Sequence, residues 1–329
     1  MSERFARHTG IPGWDQPALA KARVVIAGMG ALGNEVARLL ALAGVGCLLI
    51  CDHDVVEESN LSRTTLFRTA DIGQPKVLAA RRALADLAPT TVVEARVAPL
   101  VSGAGIGELR SADIVISCLD SRAARLQLAR RCGLAGTGML NAGTSPWGGE
   151  ICWYAPGGAC YSCGMTSAQR TEDDAPIGCA VPAPSLPASA PISAMIGAWQ
   201  ATAAVRLLCG LPVPTSITRL DDGFDVQTVY RAGIDPTCLW HEPVPPEQVR
   251  SSGLTVDATA GELLQEAGDG VDVVTQETFS RPGQGTRRTR VLAEAPPGAR
   301  LGDLGVAPGE LLALVGGDRI GYMQIKGFW

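Results

Sequence analysis

Four apolar residues in succession, Val24, Val25, Ile26 and Ala27, run into GMGALG at residues 28–33, after which apolar positions recur at intervals of three and four over residues 34–43. An unbroken apolar run of that length reads as a strand covered on both faces, and the longer period reads as a helix. The pattern then repeats. CLLICDHD, from residue 47, is a second strand; residues 75–87 carry a helical period; TVVEARV and DIVISCLD are two further strands. Strands alternating with helices predict parallel pairing with helices on both faces, so the fold class is α/β: a doubly wound, Rossmann-like, mostly parallel sheet.

Farther along, the periodicity lapses. Residues 165–190 are rich in Ala, Pro and Ser, and proline's fixed φ and missing donor keep such a stretch from regular structure, so it reads as a long loop. Residues 192–209 then form an alanine-rich helix stopped by Gly210 and Pro212. EPVPPEQ, near Pro243, reads as a linker. Beyond it, short strand-like runs (VDVVT, RTRVLAEA, ELLALVGG, IGYMQI) lie between Gly/Pro turns. The chain is therefore expected to hold one domain at residues 1–243 and a small β-rich module at 244–329.

Composition narrows the function. With 329 residues, 46% of them hydrophobic, there is material for one large core and a smaller one. A formal net charge of −5 without a long basic run disfavours a nucleic-acid surface. No apolar stretch approaches the roughly 20 residues of a membrane span, and MSERFARHTG lacks an apolar signal core, which leads us to expect a cytoplasmic protein. Of ten cysteines, Cys47, Cys51, Cys118, Cys132 and Cys209 sit in apolar patterns and read as reduced core residues. Cys152, Cys160, Cys163, Cys179 and Cys238 lie in or beside less regular sequence.

The chemistry begins at the glycines. Gly28, Gly30 and Gly33 allow a tight turn and close backbone approach, and the helix behind them offers free N–H groups to a phosphate. Asp52, about 20 residues on at the end of the next strand, is placed to accept from ribose hydroxyls. These features fit NAD and ATP equally. ESNLSRTTLFRTADIGQPK adds Asn60, Arg63 and Lys76. Cations just beyond the ribose strand suit an enzyme that must stabilise charge on three phosphates, although either cation alone could be a solvated loop charge. Asp120 ends the strand DIVISCLD at the ligand-binding edge, where it could hold Mg²⁺, cap the following helix, or do both. The three histidines, His8, His53 and His241, form no evident catalytic pair.

GMGALG, CDHD, SNLSR, GQPK and SCLDS, in this order and spacing, resemble the ThiF/MoeB family, bacterial relatives of ubiquitin-activating enzymes, over about residues 1–243. The resemblance implies an ATP-dependent adenylyltransferase that activates the C-terminal carboxylate of a ubiquitin-like or sulfur-carrier protein. It implies that Gly30 and Ala31 approach the nucleotide, Asp52 binds ribose, Asn60, Arg63 and Lys76 bind phosphates, and Asp120 is the metal-associated aspartate. Ser121 stands where relatives often have asparagine. RFARH, in place of RYxRQ, makes Arg7 the arginine that reaches the ATP of the other subunit in a homodimer.

Cys160-Tyr-Ser-Cys163 and Cys238-Leu-Trp-His241 have two-residue gaps that let each pair grip a tetrahedral zinc from one turn. The relatives often hold a structural zinc with two CxxC pairs here; this chain ends the second in histidine. Cys179 stands where the family's crossover loop often carries a cysteine. It could take the activated acyl group as a thioester or acyl-disulfide, or be a bystander. The module beyond residue 250 has no CxxC and no terminal Gly-Gly. Other readings remain: adenylation of a peptide, a small molecule or a modified tRNA; an NAD-dependent oxidoreductase; a nucleotide-binding scaffold without turnover.

Overall fold

A computed structural model describes residues 3–166, 169, 188–231, 233–238, 240–276, 289–316 and 319–329. Its first sheet has eight strands: β1 (Arg23–Ala27), β2 (Cys47–Asp52), β3 (Val92–Val97), β4 (Ile114–Ser117), β5 (Met139–Thr144), β6 (Gly149–Tyr154), β7 (Ile217–Leu220) and β8 (Val226–Val229). They lie in the order β3-β2-β1-β4-β5-β6-β7-β8. The first five are parallel; the strand–helix alternation predicts four of them, β1 to β4, and passes over β5, while β6, β7 and β8 extend the sheet antiparallel. That antiparallel edge was not part of the sequence expectation.

The helices are α1 (Gln16–Lys21), α2 (Ala31–Ala43), α3 (Lys76–Leu87), α4 (Leu100–Gly103), α5 (Ile106–Ser111), α6 (Arg122–Ala135) and α7 (Ala190–Leu208). Alternate residues of β1 feed opposite faces. Val24 and Ile26 join a core with Leu40 of α2, Leu84 of α3 and Ile196 of α7, whereas Val25 and Ala27 join one with Ile106 of α5 and Leu128 of α6. Strand order reverses at β1, so the carboxyl ends of β1, β2 and β4 open onto a switch-point crevice where ligands bind in such sheets.

A second sheet holds β9 (Val249–Ser251), β10 (Asp272–Gln276), β11 (Thr289–Val291), β12 (Leu311–Gly316) and β13 (Arg319–Gln324), ordered β11-β10-β12-β13-β9. The four strand-like runs become four of these strands. Sequence reading missed β9 and the helix α8 (Ala260–Ala267), although Thr259 and Glu262 form a reciprocal capping box at the start of that helix. Leu312 of β12 faces a core of its own sheet, while Leu311 enters the core that contains α5 and α6. Arg131 of α6 and Glu310, both buried, pair at 2.7 Å across this seam. Among the described residues no helix is long and apolar enough to cross a membrane.

Candidate active site

The turn between β1 and α2 is built from glycines with different duties. Gly28 has φ +93°, and a Cβ there would lie 2.5 Å from the Cys118 carbonyl oxygen. A Cβ on Gly33 would lie 2.0 Å from the Gly28 carbonyl oxygen, so its absence lets α2 close on the turn. Gly30 differs: a Cβ there would meet nothing within 4 Å, and Gly30 caps α2 without a side-chain bond. With Ala31 it leaves open room over a helix N-terminus, as a bound phosphate requires. Asn34, fully buried, donates to the Met29 and Gly30 carbonyls and accepts from Leu66 N at 3.1 Å, tying the turn to the segment beyond Arg63.

Asp52 leaves the end of β2 and accepts from Met29 N at 2.6 Å and Asp54 N at 2.8 Å. Burial pushes its carboxyl above the ordinary range, opposed chiefly by the charge of Lys76. Lys76 opens α3, and its Nζ donates to Asp54 Oδ2 at 2.6 Å while its backbone N donates to Asp54 O at 2.9 Å. Sequence reading passed over Asp54, the residue joining the ribose carboxylate to the phosphate lysine. Asn60 and Arg63 belong to a 3₁₀ turn (Glu58–Ser62 and its cap), which they also brace: Asn60 Oδ1 accepts from Glu57 N at 3.0 Å, and Arg63 Nη1 donates to Ser59 O at 2.6 Å.

Asp120 is exposed beyond β4, and the cap of α6 is Ser121, whose Oγ accepts from Ala124 N at 3.1 Å. The capping alternative weighed for Asp120 thus falls to its neighbour. Asp120 lines a cleft of about 590 Å³ with Arg125, Gly143, Glu150, Arg219 and Asp221. Buried Gln200 of α7 ties the ends of β4 and β5 together, donating to the carbonyls of Ser117 and Leu140 at 3.1 and 3.0 Å. Trp147, in the turn before β6, and Phe224 and Val226, at the turn into β8, are 63%, 60% and 65% exposed, and Tyr230, past the other end of β8, is 87% exposed.

A second cluster lies on chain following β6 and β8. The donor atoms of Cys160, Cys163, Cys238 and His241 all fall within 4.8 Å of one another. Cys160 Sγ is 3.8 Å from Cys163 Sγ and 3.7 Å from Cys238 Sγ, and Cys163 Sγ is 3.1 Å from His241 Nε2. Sulfurs about 2.3 Å from a common tetrahedral centre would stand about 3.8 Å apart, so this donor set fits a structural metal. Cys152, expected in less regular sequence, is instead buried within β6, and Cys47 and Cys209 are only half-buried.

Residues 4–226 match the model of the ThiF family. The chain belongs to the ThiF family. It is 32% identical to the sulfur carrier protein ThiS adenylyltransferase of Escherichia coli, over 68% of this chain and 88% of that one. It is 34% identical to the molybdopterin-synthase adenylyltransferase of the same organism, over 65% and 84%. Among solved structures, E. coli MccB with ATP aligns with TM-score 0.58 at 22% identity, covering 73% of this chain and 74% of that one, which supports the Rossmann-type fold.

Of the two further residues implied by the ThiF resemblance, only Arg7 is described, and it stands apart from the crevice. Arg7 is exposed near the chain start, whose Phe5 packs at Gly44, the far end of α2 from the glycine turn. Thirteen helical residues, about 20 Å, separate those ends, so Arg7 does not join this chain's own crevice. Cys179 lies outside the described residues. On one side α7 packs into the core through Ile192, Ile196, Gln200 and Ala204, and on another it shares an apolar groove of about 430 Å³ with Trp14 and Leu39.

Proposed function

We propose that this chain is an ATP-dependent adenylyltransferase that converts the C-terminal carboxylate of a ubiquitin-like or sulfur-carrier protein into an acyl-adenylate. The observation carrying this reading is the junction of Asp52, Asp54 and Lys76 at the carboxyl ends of parallel strands, beside an open glycine turn. A ribose carboxylate fits NAD as well; a lysine tethered next to it fits a triphosphate. The ThiF-family relatives named as adenylyltransferases add independent support.

In this reading Gly28, Gly30, Ala31 and Gly33 admit the phosphates and Asp52 accepts from the ribose. Asn60, Arg63 and Lys76 take the phosphate charge, and Asp120, next to Ser121, would hold Mg²⁺, which would supply positive charge against the triphosphate. A substrate carboxylate oxygen bonds to the α-phosphorus as the bond to the bridging oxygen breaks, and pyrophosphate leaves with that electron pair. The nucleophile is already ionised at neutral pH, so placement and charge stabilisation suffice without a general base. Arg7 acts in the partner subunit's site of a homodimer. A second step would pass the acyl group to Cys179, its thiolate sulfur bonding to the acyl carbon as the carbon–oxygen bond to AMP breaks and AMP leaves with that electron pair. Exposed Trp147, Phe224 and Val226, on the turns that flank the cleft, offer apolar contacts suited to a protein substrate.

The cysteine–histidine cluster holds a structural zinc. Four protein ligands leave it no open position, so its part is to fasten the chain after β6 to the chain after β8. We assign residues 1–243 to adenylation and 244–329 to a supporting module. Pyrophosphate release with small carrier proteins ending in Gly-Gly tests the function. Release that requires both ATP and an intact carrier terminus supports it; ATP binding without pyrophosphate release across such carriers would leave a scaffold.

A further inference from the structure

Ser162 sits inside the cluster that its neighbours form. It is 1% exposed, with Oγ 3.0 Å from Cys160 Sγ and 3.2 Å from Cys238 Sγ. Those sulfurs come from segments 78 residues apart, so the hydroxyl bridges the two halves of the cluster. A serine hydroxyl has one proton to give and lone pairs to receive, and a thiol can also do either. A metal-bound thiolate can only accept. Loading the cluster therefore fixes Ser162 as the donor.

We infer that Ser162 is a positioning residue of the metal cluster, donating its proton to the Cys160 and Cys238 thiolates and thereby raising the site's affinity for a thiophilic dication. The inference rests on the metal reading of the cluster. Three thiolates and a neutral imidazole put one net negative charge around a divalent ion in a half-buried site. A hydrogen bond to sulfur draws electron density away from that charge and holds both thiolates in a ligating direction. Outer-shell partners of this kind typically govern about 10- to 100-fold in metal affinity. Tyr161, the other residue between the cysteines, turns away toward Tyr154, with ring centroids 5.9 Å apart.

The test uses the full chain with zinc and with cobalt(II), whose sulfur-to-metal charge-transfer band reports electron density on the thiolates. Competition against a chromophoric chelator should show Ser162→Ala binding zinc at least about 10-fold more weakly than the parent. Its cobalt band should move to lower energy, since a thiolate without its donor is easier to oxidise. Ser162→Thr, which keeps the hydroxyl, should restore both readouts. If Ser162→Ala matches the parent in affinity and band position, the inference is overturned while the metal site stands. A parent chain that takes up neither metal removes both.

Discussion

At the scale of single residues, the glycine turn separates folding from binding. Gly33→Ala forces a Cβ against a backbone oxygen and should lower the melting temperature, because backbone cannot step aside as a flexible side chain can. Gly30→Ala meets open space, so its melting temperature should stay near the parent's while Mg-ATP affinity falls about 10-fold or more through loss of close approach. Calorimetry of melting and of ATP titration reads both. Asp52 adds a pH signature. Its raised carboxyl should protonate, and lose the charge that strengthens its bonds from Met29 and Asp54, at a pH above the ordinary carboxylate value of about 4. ATP affinity should decline as the pH falls through that raised value, and Asp52→Asn should flatten the decline. The stability effect has the opposite sign: between the unfolded and the raised folded value the native state holds the extra proton, so stability falls as the pH rises through that window. Gly28 and Asp52 were legible because their spacing is local. Asp54 was not, because its meaning comes from Lys76, 22 residues away and brought back by the packing of α3.

At the scale of elements, apolar periodicity exposed β1, β2 and β4 because their middle residues are buried on both faces, and β3, only half-buried, through its β-branched run. It did not show the antiparallel edge. Every residue of β8 is exposed, so the strand leaves no buried face to read. That exposure has a consequence. Replacing Phe224 and Val226 together by Asp and Lys removes apolar area from the rim without touching the glycine turn. The double variant should raise KM for a carrier substrate about 10-fold or more while leaving the Mg-ATP titration unchanged. Equal losses in both would mean that the edge is needed for folding instead. The cysteine–histidine pairs were legible as motifs. Ser162 was not, since the CYSC spacing says nothing about which way the intervening hydroxyl points.

For the molecule as a whole, the linker proposed near Pro243 is no loose tether. Val244 is buried and its N donates to Leu134 O at 2.9 Å, while Phe328 N donates to Glu108 Oε1 at 2.7 Å. Gly105 and Gly107 donate to the carbonyls of Pro308 and Gly309 at 2.9 Å each. Composition marked where the second sheet begins but could not show that β12 contributes to two cores, because both of its faces read simply as apolar. Arg131→Leu would strand Glu310 as a buried unpaired carboxylate, and breaking such a pair costs about 3–5 kcal/mol. Differential scanning calorimetry should therefore show the whole chain melting earlier in a single transition, and Arg131→Leu combined with Glu310→Leu should recover much of the loss.

Adenylation depends on which nucleotide occupies the crevice. Calorimetric titration with Mg-ATP and, separately, with NAD should show saturable ATP binding and no NAD binding, with Lys76→Ala and Asp120→Ala each weakening ATP by about 10-fold or more. Binding of NAD, with both variants indifferent, would contradict the adenylyltransferase reading and return the glycine turn to a dinucleotide site.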